Sequence, residues 1–365
     1  MTRAGNRKKN LLFGITSRAL LCAAALLLLL SYVSVVVNPA EAWFMTFFGL
    51  FYIPFLLLNA FLLVWALARR SKAVLIPLVA LLPSLFIFGR YFQFSSGGAE
   101  PGPDDVKVVS YNVGRFALSG ERAQACRDSV VRFLREQDAD IICLQEFFYD
   151  DASKVRAFFR KHFPEHDCEY FVYPTDAGCY GNVTLSRFPI RSKGKLDFDE
   201  SSNLAIWSDC DVRGTRMRIY NCHFQSYNIS LSRVARSFQG DYRKVFRDTE
   251  ERMRASIVRR PRQVEMVLRD IDECPTEAVV TGDFNDNPLS YTYWRLRRGR
   301  KDTFVEAGKG FGATYSVLQP LLRIDYILYP EDAFRTVSHA VVRRPFSDHY
   351  PIVSTLSLTH EEDPR

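Results

Sequence analysis

The distribution of hydrophobic and polar positions divides the chain near residue 95. Before that point Leu, Phe, Ala and Val dominate, and three long apolar runs cover residues 19–37, 43–68 and 73–89. A helix that crosses a bilayer needs about 20 mostly apolar residues. We therefore predict that residues 1–94 form an N-terminal transmembrane region of about three helices. The third run is short and contains Pro77 and Pro83, so the number of crossings depends on it.

The basic residues that flank these runs predict an orientation. Lys and Arg occur at residues 3–9 and again at 69–72, whereas the loop at 38–42 has none. Basic loops stay in the cytoplasm, so three crossings place the rest of the chain on the extracytoplasmic side. If the third run only dips into the membrane, that part is cytoplasmic. A cleaved signal peptide is the weaker alternative, because the first run is long and a second follows at once.

Residues 95–105 (SSGGAEPGPDD) have the composition of a linker, and residues 106–365 have the pattern of one folded domain. Short apolar runs that predict strands alternate there with helical periodicities. The predicted strands cover 106–113, 141–144, 181–186, 204–212, 217–223, 278–281, 324–328 and 351–356, and the predicted helices cover 122–137, 152–162 and 261–271. Many strands with few helices indicate two packed sheets covered by helices.

Polar side chains repeatedly follow apolar strands in this domain. The set comprises Asn112, Glu146, His223, Asp283, Asn285, Asp325, Asp348 and His349. Each of them alone is more often a solvated surface residue, but a sheet can bring such strand ends together into one site. Oxygen-rich donors suit Mg²⁺ or Mn²⁺, and carboxylates with histidines can activate water and stabilise a phosphoryl group. The pattern indicates metal-dependent hydrolysis of phosphate esters.

Seven motifs in this order resemble those of the endonuclease/exonuclease/phosphatase superfamily. They are SYNV, LQE, GNVTLSRFPI, YNCHFQS, TGDFND, RIDYIL and SDHYPI, and they span nearly all of residues 106–358. The resemblance implies an α+β fold, a four-layer α/β/β/α sandwich of the deoxyribonuclease I type. It also implies a phosphoesterase that uses Mg²⁺ or Mn²⁺.

The resemblance implies a role for each residue of the set. Glu146 is expected to be the main metal ligand, with Asp348 close to the metal and Asn112 beside metal and phosphate. Asp283 is expected to activate the attacking water, and Asn285 to hold the phosphate or that aspartate. In the same way, His349 is expected to stabilise the phosphoryl oxygens while paired with Asp325. His223 resembles the second histidine of the deoxyribonuclease and sphingomyelinase branches.

One position departs from the abasic-site endonucleases of the superfamily. Those enzymes carry an Asp two residues after the strand-end Asn, where this chain has Gly114. They also typically have a tyrosine where this chain has His223. Both differences argue against a role in the repair of abasic sites.

The remaining features leave the substrate open. Residues 226–262 carry ten basic and four acidic side chains, which suits either a solvated helix or an arm that attracts nucleic acid or anionic lipid. The net charge of +7 adds little, and the 8 Cys show no metal-binding spacing and are expected mostly in the core. The expected partners are a lipid bilayer and a nucleic acid or phospholipid headgroup substrate. A catalytically inactive membrane scaffold with the same fold is the alternative.

Overall fold

The computed structural model describes residues 3–94, 98–116, 123–199, 201–227 and 242–359. The α-helices are α1 (Arg3–Val33), α2 (Met45–Leu50), α3 (Tyr52–Ala68), α4 (Leu75–Leu81), α5 (Ser84–Ile87), α6 (Ala123–Gln137), α7 (Val155–His162), α8 (Tyr242–Asp272), α9 (Tyr291–Arg297) and α10 (Thr303–Ala307). Single 3₁₀ turns lie at Lys72–Val74, Phe88–Arg90, Ala152–Lys154 and Ser316–Leu318.

Fourteen strands are described. They are β1 (Phe92–Gln93), β2 (Val106–Asn112), β3 (Ile141–Tyr149), β4 (Asp167–Thr175), β5 (Gly178–Ser186), β6 (Ile190–Asp197), β7 (Leu204–Val212), β8 (Thr215–His223), β9 (Glu277–Asp283), β10 (Arg300–Asp302), β11 (Gly310–Phe311), β12 (Asp325–Pro330), β13 (Phe334–Val341) and β14 (Ile352–Leu358). All eight predicted strands are present. Six strands, β1, β4, β6, β10, β11 and β13, lie outside the predicted set. Polar residues interrupt β6 and β13, and β4 contains the short apolar run YFVY at 170–173, which the prediction omits.

The apolar N-terminal runs form helices, but with different bounds from those predicted. Residues 14–33 and 72–90 are long and apolar enough to cross a membrane. The run at 43–68 is broken at Phe51, so that its longest helix is the 17-residue α3. Its first part, α2, lies instead against the folded domain, where Gly49 accepts a hydrogen bond from Asn287.

Two six-stranded sheets form the domain. The first sheet has the order β13-β14-β2-β3-β5-β4 and the second has the order β10-β12-β9-β8-β7-β6. Strands β2 and β3 are parallel, as are β8 and β9, so their carboxyl ends meet at one edge of the sandwich. A separate two-stranded pair, β1 with β11, joins the helical region to the domain.

Three apolar clusters fill the layers between these elements. The first sheet packs against α6 and α7 through residues such as Val130 and Phe159. Val108 and Ile219 belong to the cluster between the two sheets. The second sheet packs against α8 and α9 through residues such as Val264. Together these layers form the predicted α/β/β/α sandwich.

The eight cysteines all carry free thiols, so the structure contains no disulfide among them. Five of them are buried in the apolar clusters: Cys126, Cys143, Cys179, Cys210 and Cys222. The prediction that most cysteines act as small core residues is therefore confirmed.

Helix α8 is much longer than the predicted helix at 261–271. It begins at Tyr242, and Pro261 lies inside it rather than at its start. Proline lacks the N–H of an interior helical residue, so it is an ordinary signal for a helix start and misleads here. The first part of the predicted basic insert, residues 228–241, lies outside the described residues.

Candidate functional site

Strand alternation selects the side chains of the site. Along β2, Val106 and Val108 point into the space between the sheets, and Asn112 has the same parity at the strand end. On β8, Ile219 points into the same space, and His223 has the same parity at the strand end. Because successive side chains alternate between faces, polar residues of this parity project between the two sheets at their common edge. All eight predicted site residues lie at that edge.

A bulge places Glu146. The pairing of β3 with β5 shifts between Leu144 and Phe147, where β3 has one extra residue, and Glu146 has a φ of +52°. A bulge bends its strand and redirects a side chain. The Glu146 carboxylate therefore turns toward the inter-sheet edge, with its Oε1 3.6 Å from His223 Nε2 and 3.5 Å from Asn112 Nδ2.

Asp283 is the centre of the hydrogen-bond network and is fully buried. Its Oδ2 accepts hydrogen bonds from Asn112 Nδ2 at 2.9 Å and from Asn285 Nδ2 at 3.1 Å, and its Oδ1 accepts one from the Asn285 backbone N–H at 2.8 Å. Burial raises the pKa of Asp283 to about 6, although His349 and His223 oppose this rise. The Asn285 amide also donates to the Phe224 carbonyl, so in this structure it holds the aspartate.

His349 and Asp325 form a second buried pair. The Nδ1 of His349 lies 3.0 and 3.2 Å from the two carboxylate oxygens of Asp325, and its Nε2 lies 3.7 Å from Asp283 Oδ2. Burial alone would lower the pKa of His349, but Asp325 and Asp283 outweigh it and raise the pKa to about 10. His349 is therefore an imidazolium at neutral pH, with both nitrogens as donors.

His223 differs from His349 in charge. Burial lowers the pKa of His223 to about 4, so its ring is neutral at pH 7. Its Nδ1 lies 3.4 Å from the Tyr180 hydroxyl, and its Nε2 lies 3.8 Å from Asp283 Oδ2. The site thus contains one charged and one neutral histidine.

Asp348 occupies the rim of the site and is partly exposed. The Ser347 hydroxyl donates to the Asn112 carbonyl at 2.8 Å and lies 3.2 Å from Asp348 Oδ1. Gly114 faces them with a φ of +53°, and a Cβ there would lie 2.9 Å from Ser347 Oγ and 3.0 Å from Asp348 Oδ1. A side chain at position 114 would therefore crowd Ser347 and Asp348, and the positive φ favours glycine there.

A buried polar layer supports the site, and its members were not predicted individually. Gln145 donates to Asn221 at 2.8 Å, and Asn221 donates to the Val183 carbonyl at 2.9 Å. The Asn182 amide donates to the Asn221 carbonyl at 3.1 Å. These residues lie within the quoted motifs, and their inward parity on predicted strands is a signal that could have found them. Buried amides with this many partners hold the two sheets in one register.

The arrangement offers two places where side-chain oxygens could hold a divalent cation. At the first place, Glu146 and Asp348 offer carboxylate oxygens, and burial raises the pKa of Glu146, with Asp348 adding to the rise. The exposed Arg115 lies 3.7 Å from Glu146 Oε2, and it opposes this rise together with His349. Carboxylate oxygens at an open position of this kind suit a hard cation. At the second, Asp283, Asp325 and His349 lie close enough together to share an ion. There the His349–Asp325 hydrogen bond already occupies Nδ1, and the imidazolium repels a cation.

Part of the basic insert is buried in the domain. Arg260 of α8 forms an ion pair with Asp286 at 2.8 Å, donates to the Gln225 carbonyl at 2.9 Å and lies over the ring of Tyr227. Tyr227 in turn donates to Asp286 at 2.8 Å. This arginine therefore braces the loop after Asp283. It is not available to a substrate.

Comparisons with known proteins agree with this geometry. The profile of the Endonuclease/Exonuclease/phosphatase family matches residues 109–349, and that of a domain of unknown function (DUF8431) matches residues 10–91. None of the curated proteins compared with the chain matches it in sequence.

Several solved structures share the fold. The human Nocturnin catalytic domain with bound sulfate has a TM-score of 0.52 and 17% identity, over 70% of this chain and 94% of that chain. An endonuclease/exonuclease/phosphatase from Bacteroides vulgatus has a TM-score of 0.52 and 20% identity, over 70% and 99%. A humanized D. rerio TDP2 has a TM-score of 0.51 and 16% identity, over 70% and 99%.

The family match covers about two thirds of the chain and contains seven of the eight site residues at its interior and the eighth, His349, at its end. Enzymes of this family hydrolyse phosphate esters and generally use divalent metal ions. The chain belongs to the endonuclease/exonuclease/phosphatase family of phosphate-ester hydrolases.

Proposed function

We propose that this protein is a membrane-anchored, metal-dependent phosphoesterase in which Asp283 activates the attacking water. The observation that carries the proposal is the position of Asp283, buried between the two sheets with Asn112, Asn285 and both histidines around one carboxylate. A pKa of about 6 leaves this carboxylate mostly ionised at neutral pH while keeping it a useful base.

In the proposed attack on phosphorus, Asp283 is the base and the His349–Asp325 pair supplies positive charge. Asp283 takes a proton from water as the water oxygen bonds to phosphorus, and the bond from phosphorus to the leaving oxygen breaks. His349, held as an imidazolium by Asp325, directs Nε2–H at a phosphoryl oxygen and stabilises the charge that develops there. Asn112 and Asn285 fix the orientation of the base.

Glu146 and Asp348 would hold a Mg²⁺ or Mn²⁺ ion at the open side of the site. Such an ion, when bound, supplies a Lewis acid that withdraws charge from the phosphoryl group. Neutral His223 lies 3.6 Å from Glu146 Oε1 and orients that carboxylate.

The contacts of the helical region support three membrane crossings. Residues that touch the domain come from the loop after α1 and from the end of the last helical segment. Ser34 lies 3.4 Å from the Leu289 carbonyl, Trp43 lies beneath Arg254, and Tyr91 accepts from the Gly312 N–H. With three crossings and the domain on the extracytoplasmic side, both contact regions lie on the extracytoplasmic face of the membrane. Arg69 and Arg70 then lie on the cytoplasmic face.

The test is hydrolysis of an activated phosphodiester such as bis-p-nitrophenyl phosphate by the full chain in detergent with Mg²⁺. Asp283→Asn should lower kcat by about 10³-fold, in the range of lost base catalysis. Its melting temperature is measured alongside, because the new amide nitrogen meets donors that the carboxylate oxygens now accept from. Asp272→Asn, an exposed change at the far end of α8, is the matched control.

The same assay separates the enzyme from the inactive scaffold. Activity of the wild type that Asp283→Asn removes, with an unchanged melting temperature, supports the enzyme. Equal activity of Asp283→Asn and wild type would refute the assigned base. No turnover by a folded wild type with Mg²⁺ or Mn²⁺ would favour the scaffold.

A further inference from the structure

The exposed apolar side chains of the domain are concentrated in one segment. Among the described residues from 98 to 359, the large apolar side chains with high exposure are Phe311, Val317, Leu318 and Leu321, which are 40–50% exposed. We call these four residues the apolar rim. Single exposed apolar residues are usually scattered over a surface, and a concentration of them marks a binding surface.

The apolar rim borders the candidate active site. Tyr315 precedes it, and the Tyr315 ring lies 5.3 Å from the imidazole of His349. Ser316 donates its N–H and its hydroxyl to the Asp348 carbonyl at 2.8 and 2.9 Å. Val317 and Leu318 follow directly. Anything that covers the rim therefore also lies at the mouth of the site.

At its other end the apolar rim is continuous with the N-terminal helices. Phe311 pairs with Phe92 in the small sheet, and their rings are 4.9 Å apart. Phe92 contacts the rings of Phe88 and Phe94, at 5.9 and 5.0 Å, and Phe94 is 84% exposed. Phe88 belongs to the segment 72–90, which is apolar and long enough to cross a membrane. The exposed apolar surface thus runs from that segment to the mouth of the site.

The charge pattern favours lipid over nucleic acid as the material at this mouth. Residues 310–322 (GFGATYSVLQPLL) contain no charged side chain. A nucleic-acid path needs cations along the backbone and aromatic platforms for bases. Of the basic residues of α8, Arg260 is buried against Asp286 and Arg254 lies over Trp43. Arg115, a cation at the site, is paired with Glu146 and lies over the ring of Tyr180. Apolar side chains flanked by membrane helices instead suit the acyl boundary of a bilayer.

Building on the phosphoesterase function proposed above, we propose that the apolar rim inserts into the bilayer that holds the N-terminal helices, and that the substrate is a phosphate ester in a membrane-lipid headgroup. The rim fixes the mouth of the site at the depth of the headgroups. The ester then reaches Asp283 and His349 without leaving the membrane surface. A soluble ester has no need of the rim.

The experiment uses the full chain reconstituted in liposomes that contain phosphatidylglycerol, sphingomyelin and phosphatidylinositol phosphates. Release of water-soluble headgroup phosphate is compared with hydrolysis of bis-p-nitrophenyl phosphate and of single-stranded DNA. The test variant is Val317→Asp with Leu321→Asp, and the control is Ala123→Asp with Ala125→Asp on the exposed face of α6, which adds the same charge. A second variant, Val317→Phe with Leu321→Phe, keeps the rim apolar.

We expect the Asp variant to lose at least about tenfold in headgroup release while hydrolysing the soluble diester as the wild type does. The control and the Phe variant should keep both activities. Equal headgroup release by the Asp variant and the wild type would overturn the role of the rim. Hydrolysis of DNA but of no lipid would overturn the lipid substrate and leave the phosphoesterase intact. Absence of all three activities would instead count against the proposed function.

Discussion

The two sheets contribute unequal halves to the site. The first sheet supplies Glu146 on a bulge, with 26% of its side chain exposed and the exposed Arg115 3.7 Å from its carboxylate. From the second sheet come Asp283 and Asp325, both buried and held by several hydrogen bonds. One half is open to solvent, and the other is closed and preorganised. The difference fits a division of labour in which the first half binds an ion and the second handles protons.

The backbone shows the same contrast. In the first half, Gly114, Arg115 and Phe116 follow β2 with φ values of +53°, +55° and +57°, and Glu146 has a positive φ as well. Left-handed conformations of residues with side chains cost energy and concentrate at functional sites. In the second half, Asn285 has a positive φ, but its amide is anchored to Asp283.

The largest effect is expected from a substitution in the open half of the site. Glu146→Gln removes a carboxylate that the proposed ion needs, so activity should fall by about 10³-fold or more, in line with the several kcal/mol that a metal supplies. Calorimetric titration should show that Mg²⁺ binding is lost. Glu136→Gln, exposed on α6, is the control.

The same variant tests whether Glu146 is electrostatically unsatisfied. A raised folded-state pKa means that the ionised carboxylate costs stability above that pKa. Without metal, Glu146→Gln should therefore melt at the same or a higher temperature at pH 7. A clear loss of metal-free stability would contradict the contrast between the halves.

A smaller effect is expected when the His349–Asp325 pair of the closed half is weakened. Asp325→Asn keeps a hydrogen-bond acceptor for His349 but removes the largest of the charges that raise its pKa, so that pKa should fall. We expect kcat at pH 7 to fall on the order of 10²-fold. The decline of activity at alkaline pH should also move to lower pH. An unchanged profile would show that His349 does not act as an imidazolium.

The pH profile of the wild type should reflect the titration of Asp283 and His349. Because the pKa of Asp283 is raised to about 6, kcat/KM should fall about tenfold per pH unit below that value as the base is protonated. The pKa of His349 is raised to about 10, so activity should be flat from near neutrality to that pH. Measurements with Mg²⁺ held saturating separate this effect from ion binding. A profile flat down to pH 4 would exclude Asp283 as the base.

Much of this site could be predicted from the sequence, because strand alternation and motif order carry it. Val106, Val108 and Asn112 share a parity, and that parity alone aims the asparagine between the sheets. The bulge at Glu146 could not be foreseen, since an extra residue in a strand leaves no mark in an apolar run. The pairing of His349 with Asp325 joins residues 24 apart, one in the loop before β14 and the other at the start of β12, and only the motif resemblance pointed to it.

In the N-terminal region, composition alone does not predict how the helices pack against the domain. The run at 43–68 is largely apolar, so nothing in it indicates that α2, which packs against α1, also contacts the domain. The contact depends on close packing, because Gly49 has no side chain and a Cβ there would overlap the Leu289 carbonyl. Such close packing depends on a partner more than 200 residues away.

The smallest expected effect tests whether this contact keeps the closed half in place. Asn287 is buried, donates to the Gly49 carbonyl at 2.9 Å and accepts from the Leu289 N–H at 2.9 Å, two residues after Asn285. Asn287→Ala leaves both backbone groups without their partner, so we expect a loss of about 1–3 kcal/mol in stability. Since the loop after Asp283 loses a support, kcat should fall a few-fold.

Asn287→Asp separates the two contacts, because it keeps the acceptor for Leu289 and loses the donor to Gly49. If the N-terminal helices support the catalytic loop, Asn287→Asp should lower the melting temperature in detergent and kcat together. If only the turn at Leu289 matters, Asn287→Asp should behave as wild type while Asn287→Ala does not. The second outcome would mean that the closed half is preorganised by the second sheet alone, and the helices would then serve only to anchor it.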